Sequence, residues 1–286
     1  MNNKIKTLIF KYLSLFPREI GNYLYHKIQN KNQANNLNLK LISAKDTFNE
    51  LEKLCSFLKI DLKEKTILEI GSGWVPSLPY LFLYKSFAKK IITYDINKHY
   101  QEHNLKNFNE LFESKYNVLL NVDEKNLPLE VEYIPNCNVS DCKDQSVDVV
   151  FSRFVFEHVP TEEIKNIHQK FQLNLKKGTY IIHFISPSDH RAYTDKTLTL
   201  QDFLKYSKKE WDKIQTRFDY HNRLRFSEYL NIFKELNIEI VYQNYILPDK
   251  KSSQYQLFKK LTLHEDYENF TEEDLVAGNI IIILKL

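Results

Sequence analysis

Residues 66–76 constrain this chain more than any other stretch. Thr66-Ile67-Leu68-Glu69-Ile70 is a short apolar run that breaks at Gly71-Ser72-Gly73. An apolar run of this length ending in glycines reads as a buried parallel strand. The glycines allow a tight turn and a close approach of backbone to a ligand. Pro76 then stands where a helix should open, at a position whose N–H would have had no partner. Strand, glycine turn and helix in this order begin a βαβ unit, and such units build parallel sheets.

The rest of the chain repeats the alternation. Lys90–Asp95 reads as a second strand, with a helix from Asn97 to Lys115 after it, and a third apolar patch lies at Val131–Ile134. Val147–Phe151 is a fourth strand. Thr161, followed by Glu162 and Glu163, opens a helix that Lys176-Lys177-Gly178 closes near Leu175. Thr179–Ile185, Ile238–Ile246 and Asn279–Leu284 complete the set, and the last two are close enough in sequence to pair antiparallel. The pattern predicts an α/β fold, a doubly wound and mostly parallel seven-stranded sheet with an antiparallel edge strand. Residues 1–60 read as an N-terminal helical extension packed on the core, and 61–286 as the Rossmann-like domain. Ser186–Arg225, too long for a simple connection, forms an insertion after the fifth strand. Ligands of open α/β sheets bind beyond the carboxyl ends of the strands, and this insertion would overhang that edge.

Charge and cysteine usage exclude several classes. The 40 basic residues are interleaved with 37 acidic ones, for a net of +3, so no nucleic-acid partner is expected. Cys55, Cys137 and Cys142 form no paired framework, which suits a reducing, cytoplasmic setting. The N-terminus has no long apolar run and no signal-peptide pattern. Lys4–Phe16 is expected to form an amphipathic helix that packs on the domain, a membrane surface being the alternative.

Asp95 closes the second strand 24 residues after Gly71, a placement that suits a carboxylate bonding ribose hydroxyls. A dinucleotide fingerprint would carry a third glycine where this chain has Pro76, which turns the reading away from NAD.

These residues resemble the class I S-adenosylmethionine-dependent methyltransferases. Glu69-Ile70-Gly71-Ser72-Gly73 looks like that family's first motif, E/D-x-G-x-G, and Asp95 like its acid at the end of the second strand. Ser146-Val147-Asp148-Val149-Val150-Phe151-Ser152-Arg153-Phe154-Val155-Phe156-Glu157-His158-Val159 is similar to the family's phrase across its fourth strand. Gly71–Pro76 with Pro79, Asp189-His190 and Asn222-Arg223-Leu224-Arg225 look like a bacterial subgroup associated with surface-polysaccharide biosynthesis. The resemblance implies S-adenosylmethionine as cofactor, with contacts from Glu69, Gly71, Ser72, Gly73, Asp95, Ile96, Ser152 and Arg153. Many relatives place an Asp after the third strand to accept from the adenine amino group. Here the position holds Asn136, with the Cys137 backbone N–H expected to meet the ring and Asn138 or Asp141 as substitutes.

Methyl transfer needs a nucleophile held in line, and a hydroxyl acceptor gains from a base. The candidate bases are His158, His183, Asp189 and His190, with His190 as proton acceptor and Asp189 orienting it. His158 also reads as a packing residue before Pro160, and His183 as a core histidine. His183, Asp189 and His190 match no metal signature, so no metal is expected. Arg191, Tyr193, Asn222, Arg223 and Arg225 are the candidate acceptor-binding residues, the arginines being suited to a phosphate or carboxylate. Tyr193, Phe203, Tyr206 and Trp211 are candidates to stack on a sugar. The expected acceptor is a small hydroxyl-bearing molecule, a sugar or sugar nucleotide of a surface glycan. An amine, a phosphate-type oxygen or an NAD-linked sugar reaction are the alternatives, and a homodimer is possible.

Overall fold

The computed structural model describes residues 3–33 and 36–286. Three helices come first, α1 (Asn3–Ser14), α2 (Arg18–Gln33) and α3 (Leu37–Leu58). Strands and helices then alternate: β1 (Thr66–Ile70), α4 (Ser77–Lys85), β2 (Lys90–Asp95), α5 (Glu102–Tyr116), β3 (Val131–Pro135), β4 (Val149–Arg153), α6 (Thr161–Asn174) and β5 (Tyr180–Ile185). The last part holds α7 (Lys208–Ile214), α8 (Phe226–Glu235), β6 (Glu239–Tyr245), α9 (Ser253–Phe258), α10 (Glu272–Val276) and β7 (Ile280–Lys285). The seven strands form one sheet in the order β3-β2-β1-β4-β5-β7-β6. β1 is parallel to β2 and β4, β2 is parallel to β3, and β6 and β7 pair antiparallel, as the sequence predicts. The chain moves outward from β1 to β3 and then returns to β4 on β1's other side. β1 and β4 therefore flank the switch point, where open sheets of this kind bind ligands.

By internal packing the chain divides into two compact units. One comprises residues 3–25, 153–166 and 182–285; the other comprises 26–33, 36–152, 167–181 and 286. In the second, β1 is buried along its whole length, as an apolar strand covered on both faces must be. α3 turns Leu41, Ala44, Phe48, Leu51 and Cys55 inward at helical spacing, and Phe48 meets Phe82, which meets Phe151. In the first unit, Phe10 of α1 packs on Tyr25 and Phe218, and those two rings stack 4.8 Å apart. Gly21 is required here, because a Cβ would run into the Arg217 guanidinium and stand 2.7 Å from the Leu13 carbonyl oxygen. α1 buries Phe10 and Leu13 but exposes Leu8 and Tyr12. No described helix is long and apolar enough to cross a membrane.

Two boundaries move for identifiable reasons. β4 starts at Val149 rather than Val147, because the Val147 N–H turns back to the Asp144 carbonyl (3.3 Å) and only from Asp148 does the backbone pair, with Thr66 (2.9 Å) and Tyr180 (3.2 Å). The Asp148 carboxylate adds a side-chain tie to the Thr66 N–H (2.9 Å) and the Lys176 ammonium (2.6 Å), and Ser152 and Arg153 fall inside the strand. α5 starts at Glu102 rather than Asn97. Residues 96–101 are held out of the helix, the Asn97 N–H bonding its neighbour Asp95 and the His99 N–H bonding the Tyr133 hydroxyl. Pro76 sits one position before α4, where its carbonyl accepts from Tyr80.

Candidate functional site

The glycine turn and Asp95 come together because β1 and β2 are in register, Ile70 opposite Tyr94. The Gly71 N–H continues the ladder to the Tyr94 carbonyl at 2.8 Å. Gly71 and Gly73 have φ of 83° and 61°, a backbone region costly for residues with a Cβ. Between them, Ser72 donates its N–H (2.9 Å) to Asp95 Oδ2, and its hydroxyl lies 3.1 Å from that oxygen and 3.1 Å from the Gly73 carbonyl. One hydroxyl proton serves one of these acceptors at a time. Asp95 Oδ1 accepts from the Asn97 N–H at 2.8 Å and has His99 Nε2 3.5 Å away. A carboxylate can accept about four bonds, so turning the Ser72 hydroxyl to Gly73 leaves Asp95 capacity for a ligand hydroxyl. Ile96, the next residue, is 65% exposed.

Residues from distant parts of the chain complete this cluster, and sequence spacing could not single them out. Tyr100 stacks on Tyr133 at 4.1 Å and donates to the Ser72 carbonyl, fixing the loop from behind. Trp74 lies against His99, and Lys40 of α3 reaches over the Trp74 ring. Burial lowers the Lys40 ammonium to about 8, and no acceptor meets its Nζ. Burial also lowers His99, although Asp95 acts in the opposite direction. Glu69 is buried and accepts from the Thr93 hydroxyl at 2.6 Å.

After β3 the expectation needs correction. The Cys137 N–H bonds the Asp95 carbonyl at 3.1 Å, so it cannot meet a purine ring. Asn138 accepts from the Ser140 N–H and starts a short 3-10 turn. Asn136 is exposed in the left-handed region at φ 58°, a conformation asparagine tolerates. Ser152 is fully buried in β4.

A second constellation follows β4 and β5. Glu157 lies in a 3-10 turn at Phe156–His158, and His190 opens another at His190–Tyr193. Ligand atoms of Glu157, His158 and His190 all lie within 4.8 Å of one another. The rings of His158 and His190 are 5.0 Å apart, and His221 stands 5.7 and 5.4 Å from them. His158 Nδ1 is 2.7 Å from the Tyr220 carbonyl, which can only accept. Nδ1 therefore carries the hydrogen and Nε2 the lone pair. His221 is the reverse: its Nδ1 accepts from the Arg223 N–H, so its Nε2 is the donor, buried beside the Ser186 backbone with no hydrogen bond of normal geometry. Burial, then the charges of His158, His190 and Arg225, hold His221 well below its usual range and keep it neutral.

Glu157 is wholly buried, and burial pushes its carboxyl up to about 8. The N–H groups of Glu157 and Ser186 and the Arg153 charge oppose that rise, but neither oxygen makes a hydrogen bond of normal geometry. Tyr193 stacks on His190 at 5.1 Å and is half exposed, the one expected acceptor residue that reaches this cluster with an open face.

The polar residues beside the cluster are otherwise engaged. The Asp189 carboxylate takes a two-bond pair from the Arg191 guanidinium, at 3.0 and 2.6 Å, and accepts the Arg191 backbone N–H at 2.9 Å. Arg191 also approaches Asp202 and lies 4.8 Å over Trp211. Arg223 is buried and donates to the Phe203 and Tyr206 carbonyls. Arg225, 0% exposed, donates to the carbonyls of Arg223, Leu275 and Pro187. The Asn222 side-chain amide donates to Phe156 and Val159 and accepts from Leu224. These side chains brace the insertion, where an anion grip would need their donors free. His183 is buried against Phe156 and Phe233 and stands apart from the three clustered ligands. Phe203 and Trp211 belong to the apolar core, with Tyr206 packed on it.

No family model and no curated protein sequence matches this chain. Solved structures do match. A candidate sarcosine dimethylglycine methyltransferase from Galdieria sulphuraria is 14% identical with a TM-score of 0.51, covering 84% of this chain and 85% of its own. The phosphoethanolamine N-methyltransferase 2 of Haemonchus contortus, in complex with S-adenosyl-L-methionine, is 12% identical with a TM-score of 0.49 over 83% of this chain and 52% of its own. At such identities the likeness is one of fold. This chain has a Rossmann-like α/β fold, with a seven-stranded, mostly parallel sheet and one antiparallel edge pair.

Proposed function

We propose that the protein is an S-adenosylmethionine-dependent methyltransferase acting on a small hydroxyl-bearing acceptor. The observation that carries this reading is the Asp95 carboxylate held against the Gly71–Gly73 turn by Ser72. The turn closes β1, which borders the sheet's switch point, and the carboxylate closes the adjacent β2. In this reading Asp95 accepts from the cofactor's ribose, Ile96 packs against its adenine, and Lys40 meets its carboxylate. Glu69 and Thr93 keep the base of the turn rigid.

The cofactor supplies a methyl group already electrophile enough to be attacked. The residues of this chain must hold an acceptor in line, and positioning of that kind contributes on the order of 7–11 kcal/mol. The Glu157–His158–His190 cluster, with Tyr193 beside it, is assigned to the acceptor. A sugar fits the exposed Tyr193 ring. With Arg223 and Arg225 bonded to backbone carbonyls, the case for a phosphorylated or nucleotide-linked form of that sugar rests on no residue here.

Methyl-labelled cofactor incubated with the full chain and a panel of free sugars, sugar nucleotides and small amines tests the acceptor. Label transfer to a hydroxyl compound is the expected result. Transfer to amines alone would overturn the hydroxyl assignment and leave methyl transfer standing.

A further inference from the structure

We propose that Glu157, His158 and His190 form a binding site for a divalent first-row transition ion of the zinc class. The site rests on its own geometry and would stand even if the methyl-transfer reading failed.

Three observations point to a cation. The ligand atoms lie within 4.8 Å of one another, and an ion bonding each at about 2.0–2.2 Å needs only small side-chain rotations to draw them in. Both Glu157 oxygens are buried and, although the Glu157 and Ser186 N–H groups lie close, neither makes a hydrogen bond of normal geometry, whereas buried carboxylates are ordinarily paired or coordinate a metal. Glu157 feels the Arg153 charge but forms no hydrogen bond with it. His158 Nδ1 lies 2.7 Å from the Tyr220 carbonyl, so in the neutral ring Nδ1 keeps the hydrogen and an ion would bond Nε2. A backbone carbonyl in that role is the usual device that orients a metal-bound imidazole.

The donor set selects the ion. Two neutral imidazoles and one carboxylate suit zinc, iron(II), cobalt(II) or manganese(II), whereas calcium and magnesium prefer all-oxygen shells. His221 is not a fourth ligand, since its Nδ1 accepts from Arg223 and its Nε2 carries hydrogen. Three protein ligands leave a coordination position open, the mark of a site that takes an exogenous ligand. His158 is exposed, which provides a route for the ion to enter.

Cobalt(II) tests this by visible absorption. The full chain, stripped with a chelator, is titrated with cobalt and back-titrated with zinc. One equivalent should bind, and Glu157→Gln, His158→Ala and His190→Ala should each weaken binding about tenfold or more. His103→Ala, at an exposed position on α5, should bind as the unaltered protein does. Glu157→Gln exchanges the carboxyl for an amide of the same shape, and His158→Ala alters an exposed position, so folding of these two variants, checked by thermal melting, separates ligand loss from collapse. No saturable binding, or binding equal in the folded variants and the unaltered chain, would overturn the site.

Discussion

At the residue scale, the same side-chain type serves opposite purposes, and burial decides which. Gly71, Gly73 and Asp95 were legible in sequence because their function is local: a strand end, a turn and an acid in phase. Arg223 and Arg225 were not, because a buried arginine bonded to carbonyls and a surface arginine waiting for an anion look alike in a string of letters. Arg225→Ala would strand the Arg223, Leu275 and Pro187 carbonyls in the interior. An unsatisfied buried group costs about 1–3 kcal/mol, so chemical denaturation should show a loss of ~3 kcal/mol or more. A normally stable variant with only weakened acceptor binding would restore the anion-grip reading. Gly73→Ala is the milder case. A Cβ there meets no atom within 4 Å, but φ is 61°, so the penalty is conformational, roughly 1–2 kcal/mol.

At the scale of elements, strand and helix order was readable because apolar runs and helix stop signals are periodic. The start of α5 shifted where side chains took up the Asn97 and His99 N–H groups. Asp148 adds a side-chain tie beside the first ladder bonds of β4. Burial alone would raise its carboxyl, but the Lys176 ammonium and Thr66 N–H outweigh this and hold it below the usual carboxylate range. A folded-state value depressed in this way adds stability that is present above the usual range and lost as pH falls through the folded value. Asp148→Asn should therefore flatten that acid limb and cost on the order of 1 kcal/mol at neutral pH, measured by urea melts across pH. A limb identical to that of the unaltered chain would contradict the assignment. In the insertion, the capping box Ser207–Glu210 starts α7, and Ser207→Ala should cost about 1 kcal/mol. The 3-10 turns there were hidden because short turns carry no period, and the Glu157–His158–His190 cluster was hidden because it joins two of them.

At the scale of the whole molecule, the sheet order places the Gly71–Gly73 turn at the end of β1, which borders the switch point, with Asp95 at the end of the adjacent β2. Lys40, His99 and Tyr133 join that site from α3, the loop after β2 and β3, through contacts that no local pattern announces. The central claim is that this turn holds S-adenosylmethionine. Thermal-shift titration with S-adenosylhomocysteine and, separately, with NAD tests it most directly. The account predicts stabilisation by the first alone, and loss of that shift in folded Asp95→Ala. Stabilisation by NAD instead, or a shift undiminished by Asp95→Ala, would contradict it.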